Sequence, residues 1–224
     1  MGTVEDSKDS TCKRALIAGL HTLYGGRGKG QCSVACGGDN GGGVSQKTTK
    51  NWAILFARTG LEGKLVDALK EKLNAEEYLP FVPTKETPYR NKGVLHKIRK
   101  PLFPGYVFVQ TEIEPSRIAD RLETELKGVK EVYTILHYGN DRKDVVVREE
   151  ERLYWDRLFD ENFCVVGSVG FIVGDTIHIT SGALVGLEGQ IKKIDRHKRI
   201  AIVEMKMMGA ARDVSLMLEV VEKS

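Results

Sequence analysis

The sequence predicts an α+β protein in which a mixed helix-and-strand domain is followed by a small β-barrel. Three observations support this prediction. Segments with helical periodicity alternate with short apolar strands in residues 51–136, whereas short alternating strands and glycine-rich turns fill residues 174–220. Between them, residues 149–175 carry seven acidic and two basic side chains, and such a shift in charge indicates a domain boundary.

The composition argues against a membrane protein and against a disulfide-stabilised one. No apolar run approaches the roughly 18 residues that a membrane-spanning helix needs. Three of the four cysteines lie within the first 50 residues, at spacings that do not suggest a disulfide framework. We therefore expect a globular, cytoplasmic protein.

Residues 1–50 are expected to form a disordered, glycine-rich extension, because they hold too few large hydrophobic side chains to offset the entropy cost of ordering. A phosphate loop at residues 25–30 is disfavoured, since the spacing G-x-x-x-x-G-K-[ST] is absent. A zinc site is disfavoured because its candidate ligands lack tight pairing; they are Cys12, His21, Cys32 and Cys36. No methionine lies between Met1 and Met205, so translation from Val44 is a further hypothesis.

The first domain, residues 51–159, is predicted to have the ferredoxin-like split βαβ fold. Residues 106–109 are apolar on both faces, as a central strand should be. Pro115 suits the first turn of a helix and Gly128 suits its C-terminal cap. The predicted elements lie at residues 52–56, 61–73, 78–82, 94–98, 106–109, 115–126 and 132–136. Their order, β-α-(β)-β-β-α-β, is that of the split plan.

One more helix is predicted within residues 148–162. Tyr154 and Leu158 are i, i+4 neighbours there, as are Trp155 and Phe159, and we expect this helix to pack on the sheet of the first domain. An extended linker is expected at residues 160–169, followed by the barrel domain at residues 170–224.

The barrel is predicted from short strands around glycines 182, 186 and 189, where the chain turns back tightly. Its charges are less evenly placed than its apolar residues. Residues 192–199, which we name the basic tip, contain five Lys or Arg side chains and one opposing acid, Asp195. A concentrated positive rim on a small β module is typical of phosphate binding.

Two parts of the sequence resemble a known family. Gly174-Asp175, the three glycines and the strands that follow look like a KOW motif, which occurs in small SH3-like barrels. Residues 52–56, the helix after Gly60 and the segment 101–109, with the sequence PLFPGYVFV, resemble the NGN domain. NGN followed by KOW is the arrangement of NusG-family transcription elongation factors. Pro101-Leu102, the short acidic linker and the basic tip resemble LoaP-type antiterminators within that family.

The resemblance implies a surface for the clamp helices of RNA polymerase. The matching residues are Phe56, Phe103, Pro104, Tyr106, Ile135 and Leu153. Arg58 and Lys64 are implied to lie near upstream or non-template DNA. The alternative for the apolar residues is that they belong to the core, and for the two cations that they belong to a solvated surface.

For the barrel, the resemblance implies binding of a hairpin in nascent RNA. The implied contacts are Lys192, Lys193, Arg196, His197, Lys198 and Arg199. The expected function is a monomeric transcription antitermination and elongation factor that suppresses pausing and termination. The alternative is a general NusG-type factor whose barrel binds protein partners, such as a ribosomal protein or a termination factor, through residues 184–187. A ribosome-associated KOW protein is disfavoured by the NGN domain.

The sequence contains no motif that predicts catalysis. It has no nucleophile elbow, no H-E-x-x-H, no Walker motif and no paired metal-ligand spacing after residue 50. We therefore expect a non-enzymatic protein without a cofactor or a metal site.

Overall fold

The computed structural model describes residues 50–221. Predictions for residues 1–49, including the zinc ligands, the phosphate loop and the start at Val44, lie outside the described residues. The elements are β1 (Asn51–Ala57), α1 (Glu62–Lys72), β2 (Tyr78–Phe81), β3 (Thr84–Asn91), β4 (Val94–Pro101), β5 (Tyr106–Thr111), α2 (Pro115–Glu125), β6 (Val132–Ile135), α3 (Glu149–Leu158), β7 (Cys164–Val165), β8 (Ser168–Val173), β9 (Thr176–Ser181), a 3-10 turn (Glu188–Gln190), β10 (Ile191–Asp195), β11 (Ile200–Met207) and β12 (Ala210–Val220).

A four-stranded antiparallel sheet in the order β2-β5-β1-β6 organises the first part of the described chain, which we call the α+β domain. Helices α1 and α2 cover one face, where Leu65, Ile118 and Leu122 pack against Leu55 and the buried valines of β5. The predicted ferredoxin-like plan is confirmed, with β5 in the interior of the sheet. The helices of the described residues have 10 or 11 residues each, and none is long and apolar enough to cross a membrane.

The opposite face of the sheet carries the aromatic side chains. Trp52 and Phe108 project from this face, because side chains alternate along each strand, and their rings meet edge to face with centroids 6.0 Å apart. The predicted helix α3 packs here, since its Trp155 is fully buried, with its ring centroid 6.3 Å from that of Phe108.

Strands β3 and β4 form a long hairpin, which we name the ribbon (residues 84–101), with eight paired positions. Sequence analysis found only a short strand at residues 94–98. It missed β3 because the segment TKETPYRN has no apolar alternation and contains Pro88. Both faces of the outer ribbon are solvent-exposed, so neither needs an apolar pattern. The turn at Lys92 and Gly93 has φ angles of +46° and +84°, which suit a tight two-residue hairpin turn.

The second part of the described chain, which we call the barrel, contains the five-stranded sheet β10-β11-β12-β8-β9. Strands β11 and β12 extend beyond the predicted strands to a turn at Met208 and Gly209, both with positive φ. The segment expected as a linker, residues 160–169, is ordered. It contains β7, which pairs in parallel with β3, and the first two residues of β8. The turn before β7 is closed by Asp160, whose carboxylate accepts the Cys164 N–H (2.9 Å).

Candidate functional site

The barrel packs against the aromatic face of the α+β domain. Lys85 Nζ, at the base of the ribbon, donates hydrogen bonds to the carbonyl oxygen (2.8 Å) and the hydroxyl (3.1 Å) of Ser215 on β12. Tyr154 on α3 donates its hydroxyl to Gln190 Oε1 (2.8 Å). One apolar cluster, containing Phe103 and Trp155 as well as Val214 of the barrel, continues across the boundary. The two parts are therefore closed onto each other.

Glu151 is the most connected side chain of this boundary. Its Oε2 accepts the Met208 N–H (2.9 Å) and its Oε1 accepts the Gly209 N–H (2.8 Å), so the carboxylate joins α3 to the β11–β12 turn. The Tyr138 hydroxyl donates to the same Oε2 (3.1 Å). Burial, together with the negative charge of Glu151, raises the pKa of Tyr138 to about 12, so the phenol remains a donor at neutral pH.

The aromatic turn, residues 103–106, lies beneath the barrel. Phe103 is only 5% exposed, and its ring meets that of Trp155 edge to face with centroids 5.2 Å apart. The guanidinium of Arg212 on β12 lies 5.4 Å from the ring centroid of Tyr106, a cation–π geometry. Pro104 remains exposed. In the closed arrangement Phe103 is therefore buried and Tyr106 is partly covered, whereas Pro104 is not.

A buried carboxylate positions the aromatic turn. Glu62, 4% exposed, accepts the Gly105 N–H at Oε1 (2.6 Å) and the Gly60 N–H at Oε2 (2.8 Å). Gly105 has φ +87°, and a Cβ there would lie 3.1 Å from the Ala57 carbonyl oxygen, so glycine is required. Burial alone would raise the pKa of Glu62, but hydrogen bonds from its own backbone N–H, Gly105 and Gly60 outweigh burial and lower it.

We expect Glu62→Gln to destabilise the protein at neutral pH by about 1–3 kcal/mol, because the amide nitrogen cannot accept the second N–H. The folded-state pKa lies below the ordinary value of 4.5. The contribution of the Glu62 carboxylate to the free energy of unfolding should therefore be complete above the ordinary pKa, and it should disappear as the pH falls through the folded-state pKa. Urea unfolding between pH 7 and pH 3 measures this difference. Glu71→Gln, at an exposed site on the same helix, is the control; an equal pH dependence for both variants would contradict the assignment.

The structure gathers four of the six residues implied for polymerase binding. Phe56 and Tyr106 pack with centroids 5.2 Å apart, beside Phe103 and Pro104. Ile135 is not among them, because it packs with the helix-side cluster on the other face of the sheet. Leu153 is 49% exposed on α3.

Tyr133 joins this aromatic group, although sequence analysis missed it. It is 61% exposed, with its ring centroid 5.9 Å from that of Phe56. The pairing of β1 with β6 shifts register between Phe56 and Ala57, leaving Tyr133 as an extra residue. Such a bulge redirects a side chain without leaving a signal in the alternation of the sequence.

The basic tip is partly neutralised by ion pairs. Lys192 Nζ lies 2.5 Å from Glu204 Oε2 and 2.7 Å from Asp213 Oδ1, and these hydrogen bonds, first that to Asp213, raise the pKa of Lys192. Arg199 Nη1 lies 2.7 Å from Glu219 Oε1.

The other residues implied for RNA binding lie at or beside the β10–β11 turn. Lys193, Arg196 and His197 are exposed and form no ion pair within the described part of the chain, whereas Lys198 lies 3.7 Å from Asp195. The structure therefore leaves a smaller cationic group than the sequence suggested.

Arg58 and Lys64 are exposed at the end of β1 and on α1, and neither forms an ion pair with another described residue. Residues 50–221 also contain no group of three His, Cys, Asp or Glu side chains that could hold a metal ion.

Comparisons with known proteins show which family the chain resembles. The family model described as "Transcription termination factor nusG" matches residues 50–153, which span the sheet, α1, α2 and the start of α3. The transcription termination/antitermination protein NusG of Vibrio vulnificus (strain CMCP6) is 25% identical over 185 residues, covering 80% of this chain and 99% of that protein. These similarities support assignment of the chain to the NusG family.

A second NusG relative, from Escherichia coli (strain K12), is 25% identical over 186 residues, covering 81% of this chain and all of that protein. The solved structure described as "Domain interaction in Thermotoga maritima NusG" is 24% identical, with a TM-score of 0.44, over 76% of this chain and 94% of that one. NusG-family factors are non-enzymatic, and both relatives are described as transcription termination/antitermination proteins.

Proposed function

We propose that this NusG-family protein is a cytoplasmic antitermination and elongation factor of the LoaP type. The α+β domain binds the clamp helices of RNA polymerase, and the barrel binds a hairpin in nascent leader RNA. Binding at both sites suppresses pausing and termination. Because each site is weak alone, joining them in one chain raises the effective concentration of the second contact.

The aromatic group around residues 103–106 supports the polymerase contact. Phe56, Tyr106 and the exposed Tyr133 form a continuous ring surface, and Pro104 extends it. Desolvated aromatic anchors of this kind each contribute about 2 kcal/mol or more to an interface. Since Phe103 is buried in an apolar cluster that continues into the barrel, binding through this residue requires the barrel to move away. Arg58 and Lys64 lie on the same domain and are proposed to face upstream or non-template DNA.

The exposed cations of the basic tip support the RNA contact. Lys193, Arg196 and Lys198, with His197 beside them, are available for phosphates. Three phosphate contacts predict a slope of log K against log salt of roughly −2 to −3. The A-form major groove is too narrow for side chains to read bases, so selectivity would depend on a loop, a bulge or a distorted stem.

One observation favours the alternative of a general factor with protein partners. Lys192 and Arg199 are already engaged by acidic neighbours, which weakens the positive field of the basic tip. In the segment proposed for such partners, Leu184 and Leu187 are buried, so a partner would meet mainly Val185, which is 49% exposed.

RNA binding by the full chain distinguishes the two functions. We expect selective binding of a structured leader hairpin over scrambled RNA, with Lys193→Gln/Arg196→Gln reducing the magnitude of the salt slope by about 1.5–2. The matched control, Lys192→Gln/Arg199→Gln, removes the same charge from side chains that are already paired and should change the slope much less. Weak, unselective RNA binding that neither variant alters would instead support the alternative of a general factor with protein partners.

A further inference from the structure

The ribbon carries a larger net positive charge than the basic tip. Residues 84–101 contain six Lys or Arg side chains and one acid, Glu86, a net charge of +5, whereas the whole chain carries only +3. The excess is therefore local to this hairpin, and the rest of the chain is close to neutral or acidic. Neither polymerase binding nor the RNA contact of the barrel requires it.

Three of the six ribbon cations are exposed and form no ion pair with a described residue, and two more form only weak pairs. Lys97 Nζ pairs with Glu86 (3.1 Å) and Arg99 lies 4.0 Å from Asp160, both as exposed, weak pairs. The other exposed cations form no ion pair within residues 50–221; they are Arg90, Lys92 and Lys100. Since residues paired across strands share a face, Arg90, Lys97 and Arg99 lie on one face and Lys100 on the other, while Lys92 is at the turn.

The base of the ribbon is attached to the rest of the protein by hydrogen bonds, whereas its outer end is covered by no other described element. Its base is fixed by Lys85 on Ser215, by Glu86 Oε2, which accepts the Gly167 N–H (2.7 Å), and by the pairing of β3 with β7. Residues 89–94 are all exposed, so no other described element covers the outer end. Eight residues in a strand extend about 26 Å, which gives the ribbon enough reach to enter a groove while its base stays anchored.

We propose that the ribbon binds B-form duplex DNA, with its outer end in the major groove and its cations on the flanking phosphates. The major groove of B-DNA is about 12 Å wide and admits a two-stranded β-ribbon. The deep, narrow major groove of A-form RNA does not. Cations on both faces and at the turn suit a ligand that surrounds the ribbon on two sides with phosphates.

A protective role for the charges explains less of the pattern. Edge strands often carry lysines that prevent pairing between molecules. Protection works with charge of either sign and is needed along the two open edges of the ribbon, which are β4 and the part of β3 beyond its pairing with β7. Here the unpaired charges all have the same sign, and Lys92 occupies the turn, which is not a strand edge.

The test compares two variants of the full chain that remove three positive charges each. The ribbon variant is Arg90→Gln/Lys92→Asn/Lys100→Gln, in which Asn before Gly93 keeps the turn, because Asn-Gly is favoured there. The control variant is Lys70→Gln/Arg117→Gln/Lys130→Gln, at exposed sites outside the ribbon. Probes are one 30-base-pair duplex DNA, its RNA duplex counterpart and the single DNA strand, across a salt series.

We expect the wild type to prefer duplex DNA. The ribbon variant should bind it at least tenfold more weakly near 0.1 M salt, with a salt slope smaller in magnitude by about 2.7. The control variant should stay within about twofold of the wild type, and hairpin RNA binding through the basic tip should survive in both variants. Equal losses in the two variants would overturn the proposal, because binding would then follow total charge. The proposal would also be overturned if the ribbon residues favoured binding of the RNA duplex or of the single DNA strand over binding of duplex DNA.

Discussion

Trp155→Ala is expected to lower the free energy of unfolding by about 3–5 kcal/mol, which is the range for removing a large buried aromatic side chain. Trp155 is fully buried, and its ring meets those of Phe103, Phe108 and Phe159 with centroids 5.2, 6.3 and 5.7 Å away. Its loss would leave a cavity under the aromatic turn and separate α3 from the sheet. Urea unfolding followed by far-ultraviolet circular dichroism measures the effect.

Two further variants sharpen that measurement. Leu153→Ala, two residues away on the same helix and 49% exposed, should change stability by no more than about 0.5 kcal/mol. Trp155→Phe should cost less than half as much as Trp155→Ala, because the indole Nε1 has no hydrogen-bond partner among the described residues and only packing is lost. A loss below about 1 kcal/mol for Trp155→Ala would show that α3 does not depend on this contact.

Glu151→Ala is expected to raise the affinity for RNA polymerase by about tenfold. The change removes three hydrogen bonds, two of which hold the β11–β12 turn against α3. Because the freed N–H groups can be hydrated, we expect the closed arrangement to weaken by only about 1.5 kcal/mol, which corresponds to about tenfold. If polymerase binds the covered aromatic turn, its apparent affinity rises with the fraction of open molecules.

Polymerase affinity and small-angle scattering, measured together, separate the steps of this prediction. Glu150→Ala removes the same charge from the adjacent, exposed position of α3 and should leave both measurements unchanged. Opening without a gain in affinity would show that polymerase binds elsewhere. Unchanged scattering would show that Glu151 does not hold the closed arrangement.

The local pattern of the sequence was sufficient for most of the elements. Alternation in residues 52–56 and 106–109 reports strands buried in a sheet, and leucine spacing after Gly60 reports a helix with one buried face. These patterns determined the α+β class, the split βαβ order and the small barrel. Such patterns predict structure because burial of one face of a strand or helix requires apolar residues at regular intervals in the sequence.

Long-range contacts decided the features that the sequence did not reveal. The bulge at Tyr133 places that ring beside Phe56 and leaves Ile135 on the helix side, although both were read from one strand pattern. Lys192 looked available in the sequence but meets Glu204 and Asp213, which lie on two other strands.

The closed arrangement of the two parts is also decided by long-range contacts. Periodicity shows that Phe103 and Trp155 are apolar, but the packing of the barrel decides that Phe103 is covered. The sequence by itself thus determined the elements and their order, because these follow from local burial. Which side chains are paired, covered or free was decided only by the tertiary structure, because it depends on residues distant in the chain.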